Sequence, residues 1–92
     1  MARVIEFTER FKREYKRLDP QTQSAADATL SALYQDPLPR ALRHHTLSGH
    51  RPKIHVVDVT PNHSHQITFN WDGDRLRLLR IGTHRQIDAS PA

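Results

Sequence analysis

The chain of 92 residues contains no cysteine, which excludes disulfide bridges and zinc sites built on thiolates. It also lacks an apolar run long enough for a membrane span or a secretory signal, because charged side chains already interrupt residues 1–7. A cytoplasmic protein with no membrane partner is the simplest interpretation. No internal repeat or low-complexity segment is present, and the length predicts a single domain, residues 1–92, around one core.

Acidic side chains are in the minority. Fourteen lysines and arginines stand against ten aspartates and glutamates, which gives a net charge of +4 and an isoelectric point near 10.1. This balance favours nucleic acid or an acidic protein as the partner.

Histidine is absent from the front of the chain, and all seven copies lie between His44 and His84. The unperturbed pKa of histidine, roughly 6.5, lets its imidazole give and take protons near neutral pH. These histidines are mixed with cationic side chains, namely Arg51, Lys53, Arg77, Arg80 and Arg85. The pattern predicts proton-transfer chemistry on an anionic substrate.

The first third of the chain predicts a strand followed by a helix. Alternating apolar side chains favour a short strand over residues 3–7. Thr8 is a suitable N-cap for a helix whose apolar stripe consists of Phe11, Tyr15 and Leu18. The basic residues between them are expected on a solvated face.

A second helix completes a helical hairpin. Asp19 and Pro20 suit a helix start, and the helix is expected to run to about Gln35, where residues 36–39 end it with two prolines. Residues 40–52 then predict an irregular connector, long enough to suggest a function.

The last third predicts three strands, at residues 54–59, 66–71 and 76–81. Asp72-Gly73-Asp74 is a strong hairpin signal between the last two, so an antiparallel meander follows. Alternation places Ile67, Phe69 and Trp71 toward the helices, with Gln66, Thr68 and Asn70 on the other face. Strand 76–81 is apolar on both faces by the same rule and is the expected central strand. The fold class is therefore α+β: an N-terminal strand, a helical hairpin and a three-stranded antiparallel meander.

Three local motifs resemble those of a known family. They are His45-Thr46-Leu47-Ser48-Gly49, Val59-Thr60-Pro61, and the closing Leu79-Arg80-Ile81-Gly82-Thr83-His84. With this element order, the chain resembles the RelE/ParE superfamily of small bacterial toxins and is most similar to the histidine-rich YafQ branch. The resemblance implies a small sheet packed on two helices, with the active site on the open face of the sheet.

The resemblance also implies an activity and a set of partners. YafQ-type toxins are endoribonucleases that cut messenger RNA on the ribosome without a metal or other cofactor. A cognate antitoxin holds them inactive, and they reach DNA only indirectly, through the antitoxin complex. The expected partners are therefore an antitoxin, the ribosome and messenger RNA.

The family pattern is not matched everywhere. Gln66 stands where other RelE-like toxins carry a basic residue, Asp58 where a histidine is expected, and Asp88 where the YafQ type has an aromatic residue. His63 and His65, in the turn that enters the second meander strand, are candidates to compensate for these groups.

Metal-free RNA cleavage needs a base for the 2′-hydroxyl proton, an acid for the departing 5′-oxygen, and cations for the charge on phosphorus. The family motif makes His84 the first candidate, as acid or electrostatic stabiliser. The remaining candidates for catalysis are His45, His65 and His63. The candidates for RNA contacts are Arg51, Lys53, Gln66 and Arg85.

Several other interpretations remain open. His55 is as suited to an ordinary half-exposed position in a strand, His44 and His50 to a loop surface, and Trp71 to the core. A zinc site of His63, His65 and His84 is a further possibility. As a whole, the chain is also compatible with a ParE-like inhibitor of DNA gyrase or with an inactive RNA-binding relative.

Overall fold

The computed structural model describes residues 4–59 and 64–92. Position 3 of the predicted first strand and residues 60–63, including His63, lie outside this range. The elements in chain order are β1 (Val4–Phe7), α1 (Glu9–Lys16), α2 (Pro20–Ala32), a 3₁₀ turn (Arg40–Leu42), β2 (His45–Leu47), β3 (Ile54–Val59), β4 (His65–Asp72), β5 (Arg75–Thr83) and α3 (His84–Ala89). None of the helices in the described residues has the length and apolar character needed to cross a membrane.

The helical hairpin begins where its capping residues predict. The hydroxyl of Thr8 accepts a hydrogen bond from the Phe11 amide at 3.3 Å, and the carboxylate of Asp19 accepts one from the Thr22 amide at 2.8 Å. Each side chain satisfies an amide that has no partner within the helix. Thr8 also donates to the carbonyl of Leu79 at 3.2 Å, which ties the start of α1 to β5.

The second helix is shorter than the sequence predicts. It ends at Ala32 rather than near Gln35, because the hydrogen bonds of the backbone change from the α-helical to a tighter pattern before the prolines. The amides of Tyr34 and Gln35 bond to carbonyls three residues back, at 3.3 Å and 3.0 Å. This is 3₁₀ geometry, common at the last turn of a helix.

The sheet has five strands, in the order β1-β5-β4-β3-β2. The predicted meander of β3, β4 and β5 is confirmed, and Gly73, at φ +63°, lies in the tight turn between β4 and β5. β1 joins the sheet in parallel with β5, so β5 is an interior strand, but the central strand of the five is β4 and not β5 as predicted. The sheet therefore has two strands more than the meander.

The second of these extra strands corrects the prediction of an irregular connector over residues 40–52. That segment contains the 3₁₀ turn and then β2, which pairs antiparallel with β3 through His45↔Val56 and Leu47↔Ile54. The three residues of β2 are too few and too polar to predict a strand from the sequence. The exposed edge of β3 supplies the hydrogen-bond partners that make this strand.

A β-bulge changes which face the residues of β5 occupy. Thr68 pairs with Arg80, whereas the next residue, Phe69, pairs with Leu78, so Leu79 is an extra residue in β5. Leu78 and Ile81 therefore both join the core on the helical side. The prediction that β5 is apolar on both faces is wrong, because simple alternation assumes an unbroken ladder.

The core lies between the helical hairpin and one face of the sheet. It is formed by buried side chains from both layers: Phe11, Ala26, Leu33, Leu42, Val57, Val59, Ile67, Phe69, Leu76, Leu78 and Ile81. The prediction that Ile67, Phe69 and Trp71 face the helices is confirmed. We call the opposite surface of the sheet the open face.

Helix α3 was not expected after the last strand. Thr83 caps it, and the capping box is complete: the Gln86 amide donates to the Thr83 hydroxyl at 3.3 Å, and the Thr83 amide donates to Gln86 Oε1 at 2.9 Å. The last strand extends to Thr83, beyond the predicted end at residue 81, and His84 directly after it is the first residue of this helix.

Candidate functional site

The strand register places two rows of side chains on the open face. Directly paired residues in neighbouring strands share a face of the sheet. One row runs across four strands as His45, Val56, Thr68 and Arg80. The next runs as Asp58, Gln66 and Gly82. The open face therefore carries polar and charged groups where the helical side carries the core.

Helix α3 covers part of this face. It contacts β4 and β5, and its Ile87 is buried. A Cβ on Gly82 would lie 2.7 Å from Oε1 and 3.3 Å from Cβ of Gln86, so a larger residue there would displace the Gln86 side chain from its place against the sheet. As a result, even polar open-face residues such as Thr68 and Gln66 are buried.

Arg80 is a charged side chain held beneath α3. It is only 6% exposed and forms an ion pair with Glu14 of α1. Its Nη1 donates to the carbonyls of Ser90 at 2.7 Å and Gln86 at 3.3 Å. Its Nε and the hydroxyl of the paired Thr68 are buried without a hydrogen-bond partner. Arg80 therefore connects the C-terminal helix, the sheet and α1.

A second polar cluster surrounds Asp58. Its carboxylate is buried and accepts a hydrogen bond from Nε2 of Gln66 at 3.2 Å. The guanidinium of Arg43, an exposed residue with a left-handed backbone, lies 3.9 Å from the other carboxylate oxygen. Gln66, predicted to contact RNA, is thus already engaged with a neighbour inside the protein.

Four of the predicted site residues lie together at one end of the sheet. His65 pairs with Thr83, the residue just before His84, and Gln66 pairs with Gly82. His84 and Arg85 are exposed in the first turn of α3. We call this group, His65, Gln66, His84 and Arg85, the His84 end of the sheet. Nδ1 of His65 lies 2.8 Å from the Ser64 hydroxyl, and its side chain points to the helical side, as do Ile67 and Phe69.

Three other predicted residues in the described ranges lie elsewhere. His45 is exposed on β2, with Nδ1 3.0 Å from the carbonyl of Arg43, and is three strands from β5, or about 14 Å at the strand spacing of a sheet. Arg51 and Lys53 are exposed before β3, at its start, whereas the His84 end lies at its finish, about 17 Å away along the strand. The structure thus divides the predicted site among three places.

His44 and His55 form a pair that the sequence analysis assigned to ordinary surface and strand positions. Nε2 of His44 lies 2.9 Å from Nδ1 of His55, and the ring planes differ by only 8°. Both rings also lie nearly parallel to that of Phe69. Partial burial lowers the pKa of both histidines, and the charge of His45 lowers the pKa of His44 further. The lowered pKa values favour the neutral form of both rings, in which the N–H of one ring can donate a hydrogen bond to the bare nitrogen of the other.

The described residues contain no group of three or more histidine, cysteine or acidic side chains close enough to hold a metal ion. His63, one of the three ligands of the zinc site considered from the sequence, falls outside them. That interpretation therefore stays a prediction.

Two polar residues of the open face were missed as site candidates. Simple alternation from Leu76 puts Arg80 in the core, and only the bulge turns it to the open face. Asp58 was noted only as a departure from a family pattern. The sequence signal for Asp58 was its position directly after Val56 and Val57, inside a predicted strand. A charge buried in a strand needs polar partners, so it marks a polar cluster.

Comparison with known proteins gives consistent results. A family model described as a bacterial toxin of type II toxin-antitoxin system, YafQ, matches residues 3–89. No match is found among curated protein sequences.

Among solved structures, the E. coli DinJ-YafQ toxin-antitoxin complex contains a chain of 21% identity, with a TM-score of 0.76 over 95% of this chain and 98% of that one. The archaeal RelE-RelB complex from Pyrococcus horikoshii gives 13% identity and a TM-score of 0.70, covering 90% and 96% of the two chains. The solution structure of the Helicobacter pylori protein HP0894 gives 19% and 0.62, covering 92% and 97%. These likenesses support the fold.

Proposed function

Because the chain belongs to the YafQ family of toxins from type II toxin-antitoxin systems, we propose that it is an endoribonuclease that cleaves messenger RNA on the ribosome. The reaction needs no metal. It is an attack of the ribose 2′-hydroxyl on the adjacent phosphorus, which expels the 5′-oxygen of the next nucleotide. The products are a 2′,3′-cyclic phosphate and a 5′-hydroxyl end.

The observation that carries this proposal is the grouping at the His84 end. The pairing of His65 with Thr83 brings the backbones of His65 and His84 together at this end of the sheet, with Arg85 in the same helical turn, while the imidazole of His65 lies on the helical side. One imidazole acting as general base and another acting as general acid would each raise the cleavage rate roughly 10²- to 10⁴-fold. The guanidinium of Arg85 would stabilise the negative charge that develops on the phosphate in the transition state.

His84 is the general acid or charge stabiliser in this scheme. It is exposed, and the capping box that holds its helix does not use its side chain. His65 and His63 are the neighbouring candidates for the base.

The remaining cations bind RNA away from the cleaved bond. His45 lies about 14 Å across the sheet from β5, and Arg51 and Lys53 lie at the far end of β3. Such positions suit contacts to successive phosphates of an extended strand, which supply affinity without base preference. His45 also remains a candidate base.

The proposed partners follow from the activity. A ribosome presents the messenger, so the chain acts in the cytoplasm, and a cognate antitoxin keeps it inactive. The solved relatives include two toxin-antitoxin complexes, DinJ-YafQ and RelE-RelB, which supports a protein inhibitor for this chain as well.

The test is a translation extract programmed with a defined message. Addition of the purified chain should produce discrete cuts by primer extension, in EDTA-treated protein as well as untreated, and none on the same RNA without ribosomes. Supercoiling by purified gyrase should be unaffected. Gyrase inhibition without RNA cleavage would replace the proposal with the ParE-like function, and ribosome binding without either activity would indicate an inactive relative.

A further inference from the structure

A cavity of about 550 Å³ opens at the end of the sheet opposite His84. Its walls are formed by the connector over residues 36–44 and by the side chain of Trp71, near the end of β4. The volume lies within the range of about 300–1,000 Å³ that is typical of small-molecule sites. None of the described residues predicted for catalysis or RNA contact lines this cavity.

Two aromatic rings in the walls share one support, the fully buried ring of Phe69. Trp71 meets Phe69 edge-on, with 6.1 Å between ring centroids and 85° between the planes. His44 lies nearly parallel to Phe69, at 6.0 Å and 19°, and its Nε2 lies 2.9 Å from Nδ1 of His55. The rings of Trp71 and His44 are therefore steeply inclined to each other and are held in place without a ligand. Rings that are already positioned lose little conformational freedom on binding.

The charged side chains of the lining belong to the connector. Arg40 and Arg43 contribute guanidiniums, and Asp36 contributes a carboxylate, and all three residues are exposed. Arg43 is shared with the buried carboxylate of Asp58, at 3.9 Å. Neither Arg40 nor Asp36 forms an ion pair within the part of the chain that the structure describes. A ligand that satisfies both must carry an anionic group and hydrogen-bond donors.

We propose that this cavity binds a guanine nucleotide of single-stranded RNA. The base stacks on the indole of Trp71, as bases do on the aromatic side chains of proteins that bind single strands. The guanidinium of Arg40 contacts the phosphate of the same nucleotide. That the nucleotide is part of an RNA rests on the proposed function.

The carboxylate of Asp36 selects the base. An ionised carboxylate only accepts hydrogen bonds, and guanine presents two neighbouring donors, N1–H and the N2 amino group, on its base-pairing edge. Adenine and cytosine have one amino donor there, beside a ring nitrogen that accepts. Uracil has one donor between two carbonyls. Each of these three bases would bring an acceptor against the carboxylate, so guanine fits best.

The bound guanine does not belong to the nucleotide that is cut. Trp71 lies six residues along β4 from His65, or about 20 Å at the rise of a strand. It also packs on the helical side of the sheet, away from the open face. The guanine therefore comes either from a more distant part of the message or from ribosomal RNA. In both cases it adds affinity, and a guanine of the message would also influence where the message is cut.

Trp71 is the only tryptophan of the chain, so its fluorescence reports on the cavity directly. Purified toxin is titrated with each of the four ribonucleoside 5′-monophosphates, and the indole is excited where nucleotides do not absorb. Guanosine monophosphate should quench the fluorescence. It should also bind at least about tenfold more tightly than the other three, the scale of one good bidentate contact to a base.

Variants are compared by equilibrium dialysis with labelled nucleotides, because Trp71→Leu lacks the fluorophore. Trp71→Leu keeps an apolar side chain against the core and should weaken binding of guanosine monophosphate at least about tenfold. Asp36→Asn should remove the preference for guanosine over adenosine monophosphate, since an amide can both donate and accept. Arg40→Ala should weaken binding of all four nucleotides alike, with an effect that shrinks as salt is raised.

Two exposed residues outside the cavity provide matched controls. They are Asp74→Asn, a carboxylate in the turn at Gly73, and Arg13→Ala, a cation on α1. Both should bind nucleotides like the parent. Asp36 and Arg40 are exposed, so their variants test the site even if Trp71→Leu melts too low to be used.

Three results would overturn the proposal. The first is the absence of quenching by guanosine monophosphate at millimolar concentration, and the second is equal binding of all four nucleotides. The third is a Trp71→Leu variant that binds nucleotides like the parent but has lost the antitoxin, which would assign the cavity to a protein partner.

The source of the guanine is identified with Arg40→Ala. Weaker sedimentation of this variant with ribosomes that carry no message would indicate ribosomal RNA. An altered set of cut sites with unchanged ribosome binding would indicate the message. If a variant that has lost nucleotide binding changes neither, the cavity has no role in RNA recognition and the proposal is wrong.

The proposal and the proposed activity fail separately. Selective binding of guanosine monophosphate by a chain that cuts no RNA would refute the activity and leave the cavity as a guanine site. Ribosome-dependent cleavage by a chain that binds no guanosine monophosphate would refute the cavity's role and leave the activity.

Discussion

Arg80 offers the strongest test of how α3 is held on the sheet. In Arg80→Met, the molecule loses the ion pair with Glu14 and two hydrogen bonds to carbonyls of the C-terminal segment. The Glu14 side chain is only 18% exposed, and its other oxygen has no hydrogen bond, with Arg10 the nearest cation at 3.9 Å. The substitution therefore leaves a mostly buried carboxylate with only the long contact to Arg10, which costs about 3–5 kcal/mol.

That loss is a large share of the stability of a small domain, about 5–15 kcal/mol. Since 1 kcal/mol corresponds to about 4–8 °C in this size range, the melting temperature should fall by at least about 12 °C. The double variant Arg80→Met, Glu14→Gln removes the stranded charge and should recover part of the loss in urea unfolding. If Arg80→Met lies within about 1 kcal/mol of the parent, the ion pair does not stabilise the fold and this reasoning is wrong.

Three further predictions concern stability. The pKa values of His44 and His55 are lowered in the folded chain, so the unfolded chain binds protons more readily. The stability that the two neutral rings contribute is therefore present above pH 6.5 and is lost as the pH falls below it. Urea unfolding at pH 7.5 and 5.5 should show this difference in the free energy of unfolding, and His55→Gln should reduce the difference. Thr8→Ala removes a helix cap and a bond to β5 and should cost about 1 kcal/mol, whereas equal stability would show that the cap is unimportant. Gly82→Ala places a Cβ 2.7 Å from the Gln86 side chain, breaks the capping box and should lower the melting temperature, and an unchanged value would contradict the close approach of α3.

Local signals predicted the helical hairpin and the meander well. Thr8 and Asp19 cap α1 and α2 through contacts three residues away, and the turn at Gly73 requires only its own backbone conformation. Such features depend on neighbours in the chain, and the sequence displays them directly.

The features that failed depend on distant residues. β2 exists because β3 offers it a free edge, and the bulge at Leu79 exists because of the pairing between β4 and β5. That bulge turns Arg80 to the open face, whereas unbroken alternation would place it on the same face as Leu76 and Leu78. Without the register, no alternation rule can reveal this change.

The candidate site shows the same limit. The clustering of histidines after His44 indicated proton-transfer chemistry, but spacing along the chain does not say which of them meet. Pairing of β4 with β5 joins the backbone of His65 to the His84 end, while β2 carries His45 to the edge of the sheet three strands from β5. The neutral pair of His44 and His55 arises from contact across the connector and was assigned to no function.

The central claim is that His84 acts on the messenger, and one comparison tests it most directly. Primer extension on a translated message is run with the parent, with His84→Ala, and with His50→Ala, an exposed histidine in the loop before β3. His84→Ala should keep its stability within about 1 kcal/mol, as for a surface substitution, and should cut at least roughly 10²-fold more slowly. His50→Ala should match the parent in both measurements. If folded His84→Ala cuts as fast as the parent, His84 does not take part in the chemistry and the account of this site is wrong.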